Sequence, residues 1–183
     1  MTTDSDLRDQ VRRLTDRAEI IDCLQRYARG MDRRDRELLR SAYHDDAVDD
    51  HVGFVGPVED FIDWAFAYHS TQTRYQHYLL NHTAELDGDE AHAETYYLFV
   101  GTDREPADHL TLSGGRYVDR LERRDGRWAI VDRVCIVEWN AESTSLITDE
   151  ILAMLTDIKG AAHDRSDPSY LRPLIATRSP ANR

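Results

Sequence analysis

A carboxylate, an imidazole and a guanidinium each fall where the chain's own periodicity calls for an apolar side chain. Asp32 stands four residues after Ala28 and eleven after Ile21, so a helix that persists this far carries it on the apolar stripe. His77 alternates with Tyr75, Leu79 and Asn81, and Arg133 with Ala129, Val131, Cys135, Val137 and Trp139. An ionisable group taken out of water costs several kcal/mol unless it is paired, so three such groups together predict a pocket. A neutral imidazole whose tautomer a carboxylate fixes is the usual general base near neutral pH, and Asp32 can be that carboxylate for His77. An arginine fork aims at an anion, an enolate or a leaving group. Tyr27, beside the same helical stripe, adds a hydroxyl that can turn inward.

Each residue also has a structural explanation. Arg133 can pair with a structural carboxylate, and its facing stays open because the opposite side of its strand, with Trp128, Ile130, Val134 and Ile136, is apolar too. Asp32 can be a loop residue, although at a helix C-terminus it would oppose the helix dipole.

The elements that must position these groups follow from periodicity and punctuation. Thr15 caps a helix whose stripe is Leu14, Ala18, Ile21, Leu24, Ala28 and Met31, with Gly30 at its frayed end. Asp35 caps a second helix through Tyr43, closing in the polar run after it, and Val48 to Val55 allows a short strand. Gly56-Pro57 opens a third helix carrying Val58, Phe61, Ile62, Ala65, Phe66 and His69. From Arg74 the period changes to alternation, and turn signals at Asp87-Gly88 and Asp125-Gly126 separate strands over 74–86, 90–103, 108–123 and 127–141, joined as a meander. Ser143 to Ile158 reads as a closing helix. The whole is one domain over residues 1–160 with a tail over 161–183 that drapes over a neighbour or is disordered. Helices followed by antiparallel strands define an α+β class, with the helices covering one face of a curved sheet around a cavity.

With 23 Lys and Arg against 35 Asp and Glu, the net charge of −12 over 183 residues repels phosphate backbones and anionic membranes. Nucleic acid and membrane are therefore excluded as partners, and the polar, acidic start reads as that of a cytoplasmic protein. Cys23 and Cys135 read as reduced core thiols. The run from His44 to His51 has the composition of a metal site but no ligand spacing, and reads as a solvated carboxylate loop. The charged stretches at Asp32 to Glu37 and Asp119 to Arg127 read as solvated, salt-linked faces. Gly114-Gly115 reads as a bend in the sheet or as room for a ligand.

Three stretches carry a resemblance: Arg26 to Asp35, Gln76 to His82, and Gly115 to Trp128 with Asp132-Arg133 after it. Together they resemble the SnoaL-like branch of the nuclear-transport-factor-2-like superfamily, a cone-shaped α+β fold, over about residues 12–141. Within it they look like bile-acid dehydratases and dehydrochlorinases and, more distantly, scytalone dehydratases. The resemblance implies a lyase that needs no cofactor and no metal, with the Asp–His pair of these enzymes on Asp32 and His77, the arginine of the dehydrochlorinases on Arg133 and the tyrosine of the bile-acid dehydratases on Tyr27. The second histidine of the scytalone enzymes has no counterpart, since Ser113, Gly114 and Gly115 occupy that region. It also implies a small hydrophobic ligand of steroid, aromatic or polyketide class and a homodimer or homotrimer; Tyr75, Tyr96, Tyr97, Phe99, Trp128 and Trp139 are strand aromatics that can wall such a pocket or belong to the plain core. An isomerase or cyclase using the same base, or a ligand-binding protein without turnover, are the other members of such a family that the residues allow.

Overall fold

The computed structural model describes residues 3–147, 151 and 162–175. Helix α1 spans Asp4–Asp32, α2 Arg36–Arg40 and α3 Val58–His69. The strands are β1 Tyr43–His51, β2 Phe54–Pro57, β3 Gln72–Asp87, β4 Glu90–Asp103, β5 His109–Arg124 and β6 Arg127–Thr144. They form one curved, unclosed sheet in the order β2-β1-β6-β5-β4-β3. The meander β3 to β6 is antiparallel, as alternation predicts, while β1 joins it by running parallel to β6. Among the described residues no helix is long and apolar enough to cross a membrane.

Helix α1 begins three turns before Thr15. Thr3 and Asp6 form a reciprocal capping box, with Asp6 N–H donating to the Thr3 hydroxyl at 3.1 Å and Thr3 N–H to the Asp6 carboxylate at 2.9 Å. The added turns bury little, since Leu7, Val11 and Leu14 are all more than half exposed, and a reading based on buried periodicity cannot see them. The buried stripe is also rotated from the expected one: it runs through Ile20, Cys23, Leu24, Tyr27 and Met31, with Ile21 outside. Gly30 is a buried contact and not a frayed end, for a Cβ there would stand 2.5 Å from the backbone nitrogen of Leu39. Gly30→Ala should therefore destabilise by about 1–3 kcal/mol, despite a gain of roughly 1 kcal/mol in helix propensity. Denaturant unfolding checks this.

Asp35 does cap α2, accepting from Leu38 N–H at 3.2 Å, but the helix stops at Arg40. The residues beyond it, read as the helix end and a solvated loop, instead form β1, with His44 and Asp49 buried. Alternation in β6 is interrupted too. Leu121 faces Ile130 while Arg120 faces Asp132, so Val131 is an extra residue that shifts the phase. The bulge settles the facing of Arg133: it points inward, in phase with Trp128 and Ile130 on one side of the bulge and with Cys135 and Val137 on the other. A second register shift falls at Gly114-Gly115, where the Trp139 indole fills the space over Gly114.

Ser143 and Thr144 belong to β6, and most of the closing helix expected over 143–158 lies outside the described residues. Residues 162–175 lie against the chain's own α1–α2 junction. Tyr170 donates to Asp35 at 2.9 Å and lies under the Arg29 guanidinium, while the His163 ring stacks on Tyr75 at 4.2 Å.

Candidate active site

Asp32 ends α1 and His77 lies on β3, one of the two edge strands of the sheet, so one N–H face of β3 has no neighbouring strand. Asp32 fills that gap. Its carboxylate accepts from the backbone N–H of His77 at 3.1 and 3.2 Å and from the ring Nδ1 at 2.7 Å. A carboxylate at a helix C-terminus opposes the dipole by a few tenths of a kcal/mol to about 1 kcal/mol, and these charge-assisted hydrogen bonds outweigh that. A carboxylate only accepts, so Nδ1 carries the proton and Nε2 is left with a free lone pair. Both side chains are nearly buried, at 7% and 14% exposure for His77 and Asp32. The His163 ring, through Nδ1, contacts the Asp32 backbone carbonyl at 2.6 Å, which fixes the turn from behind.

His77 opens into a cavity of about 310 Å³ between the helices and the concave face of the sheet. That volume admits a small ring system. Its apolar wall comes chiefly from Met31, Phe61, Trp64, Tyr68, Tyr97 and Phe99. Of the six strand aromatics, Tyr97 and Phe99 wall it. Tyr75 and Trp128 are core residues, the latter donating to Asp16 at 3.0 Å, and Tyr96 and Trp139 are exposed on the outer face, 39% and 48% accessible.

Tyr27 reaches the cavity wall, with burial holding its phenol well above the ordinary range, so the group stays a protonated donor. Arg133 does not reach the wall. It is fully buried between the rings of Tyr27 and Tyr117, 4.0 and 4.3 Å from their centroids, and its fork grips Asp119 at 2.7 and 2.9 Å. Asp119, read among solvated charges, is thus a buried counter-ion. Among the described residues Nη1 of Arg133 has no hydrogen-bond partner.

Two further histidines share the cavity: His69, which the sequence placed only on the stripe of the third helix, and His51, which it read within a solvated loop. His69, at the end of α3, contacts the Gln72 side-chain oxygen at 2.8 Å through Nδ1, and its ring lies edge-on to His77 at 5.3 Å. Burial, together with the neighbouring His77, pushes it down to about 3, so it is neutral. His51, at the end of β1, contacts the carboxylate of the fully buried Asp49 through Nδ1. Their spacing of two on a strand puts both on one face, a signal that the polar composition of this run masks. Among the described residues no three His, Cys, Asp or Glu side chains are placed to share a metal ion. Cys23 is a core thiol donating to the Ala42 carbonyl at 3.2 Å, and burial raises it to about 11, whereas Cys135 lines the cavity.

A helix-covered, open sheet around such a cavity defines a known class. The SnoaL-like domain family matches residues 12–134, and the chain belongs to it. Among solved structures the chain is similar to LinA, at 26% identity over 73% of this chain and 93% of that one, with a TM-score of 0.67. It shares its fold with the hexachlorocyclohexane dehydrochlorinase LinA-type3 from Novosphingobium barchaimii, at 23% identity over 76% and 99% of the two chains and a TM-score of 0.70. A candidate scytalone dehydratase from Novosphingobium aromaticivorans has the same fold at 16% identity, covering 72% and 89%, with a TM-score of 0.65. No curated protein sequence matches the chain.

Proposed function

We propose that the protein is a lyase that removes a proton and a neighbouring leaving group from a small hydrophobic cyclic substrate, without a metal or nucleotide. The observation that carries this reading is the pairing of Asp32 with Nδ1 of His77, which leaves Nε2 free as a base at the wall of an apolar cavity. The names of the similar structures, dehydrochlorinase and dehydratase, both denote eliminations and support the same class.

His77 takes the proton on Nε2. Asp32 does not line the cavity; it holds the tautomer and stabilises the imidazolium that forms. Tyr27 donates its hydroxyl to the oxygen or halogen that gains negative charge. Arg133, over the Tyr27 ring, strengthens that donor by drawing on its π system, and adds a positive field from behind the wall. The domain over residues 1–160 is the catalytic unit, and 161–183 a tail whose part next to Asp32 braces it.

Asp32→Asn tests the pairing, because an amide can donate to Nδ1 and reverse the tautomer. Turnover should fall roughly 10²-fold while KM stays nearly constant, since the carboxylate does not touch the ligand. A loss expressed in KM alone would assign Asp32 to binding. The sheet's outer face leaves Tyr96, Val118, Val134 and Trp139 between 37% and 48% exposed, which supports self-association as a dimer or trimer.

A further inference from the structure

The second histidine–carboxylate pair has no part in the reaction so far, and its setting differs from that of the first. Asp49 is 0% exposed, accepts from the Tyr43 hydroxyl at 2.6 Å, and pairs across strands with Arg133 in register, yet Arg133 spends its fork on Asp119. Among the described residues the ionisable nitrogen in contact with Asp49 is Nδ1 of His51. A buried carboxylate needs a counter-charge, so burial of Asp49 and protonation of His51 are linked. The ring stacks on Phe61 at 4.7 Å and lies 5.9 Å from the Tyr117 ring, measured between centroids. Nδ1 is engaged with Asp49, which leaves Nε2 for a ligand, with the weakly accepting Cys135 beside it. On the sheet, β4, β5 and β6 separate the strands of His51 and His77, yet both rings line one cavity.

We propose that His51, oriented by Asp49, is the proton donor of this pocket and binds an oxygen of the ligand, so that the leaving group is a hydroxyl and not a halide. The proposal rests on the lyase reading and narrows it. A halide departs as a stable anion, whereas hydroxide is a poor leaving group unless it is protonated. In the balanced step, His77 Nε2 takes a proton from carbon, the C–H electron pair becomes the new C=C bond, and the C–O bond breaks. The His51 proton joins the departing oxygen, which leaves as water. One proton then returns from His77 to His51 through solvent, and the net reaction is alcohol to alkene plus water.

The protonation state agrees. Burial alone would strip the proton from His51, but the Asp49 carboxylate with Cys135 outweighs it and holds the ring up at about 9. The titratable groups facing it are Asp49 on β1, Cys135 on β6 and Tyr117 on β5, with Tyr43 behind Asp49; burial raises both tyrosines well above their ordinary range. Loss of charge at His51 is thus expected as pH rises through about 9.

Calorimetry on the full chain with two isosteric probes, 2-naphthoate and 2-naphthalenemethanol, tests this apart from turnover. The carboxylate should bind at least tenfold tighter than the alcohol at pH 7 and lose that advantage by pH 10. His51→Gln should abolish the preference. His77→Gln should keep it, so a failed base assignment and a failed His51 assignment give different results. Cys135→Ser should keep both the preference and its pH dependence. Equal affinities at pH 7, no detectable binding of the carboxylate, or a preference that survives in His51→Gln or at pH 10 would each overturn the proposal. Should His51→Gln not fold, the pH arm on the unaltered chain decides.

Discussion

His77→Gln should lower turnover by about 10²–10⁴-fold, the contribution of a positioned general base, while leaving the fold intact. Gln keeps the approximate volume and can still donate toward Asp32, and the backbone N–H of His77 holds that carboxylate whatever the side chain is. The lesion is therefore confined to the lone pair on Nε2. Because the ring lies on the wall of the cavity and not across it, ligand binding should change far less than turnover. Single-turnover kinetics beside a thermal melt separates the two, and a variant that melts like the parent and still turns over at the parent rate would remove His77 from the reaction.

Asp119→Asn should be the most destabilising of the single substitutions, by about 3–5 kcal/mol. Arg133 is fully buried between two tyrosine rings, and its counter-ion is equally buried, so neutralising Asp119 strands a charge with no route to water. Removing both charges is different. Asp119→Leu with Arg133→Met leaves no orphaned ion, and the double variant should recover most of the loss in denaturant unfolding. The pair also separates structure from chemistry at Arg133. If the guanidinium acts only as a core strut, the folded double variant stays active; the proposed role beside Tyr27 predicts that it folds and is slow.

The parts of the fold that could be read from sequence are those where one local signal dominates. The four long strands and the tight turns between them follow from alternation and from Asp-Gly pairs, and Gly88 and Gly126 take the positive φ such turns need. His77 keeps the phase of Tyr75 and Leu79 that alternation gives it, whereas Asp32 was placed partly by its spacing from Ile21, which lies outside the buried stripe, so its nearness to His77 comes from the turn that ends α1. What was hidden depends on partners far along the chain. The bulge at Val131 reverses the facing of half a strand through one extra residue, and alternation alone cannot locate it. Asp119 looks like its solvated neighbours until β6 brings Arg133 to it, and Asp49 and His51 look like loop charges until β1 docks beside β6. The long exposed start of α1 was missed for the opposite reason, because it buries too little to leave a stripe.

The central claim, elimination by His77, is tested most directly by mass analysis of products in D₂O. The full chain would be incubated with a panel of hydroxysteroids, hydroxyaromatics and polyketide fragments, beside the His77→Gln variant. The expected result is a panel member that loses the mass of water with the parent chain and is unchanged by the variant. Deuterium exchange or rearrangement without loss of mass, or loss of water undiminished in His77→Gln, would contradict it.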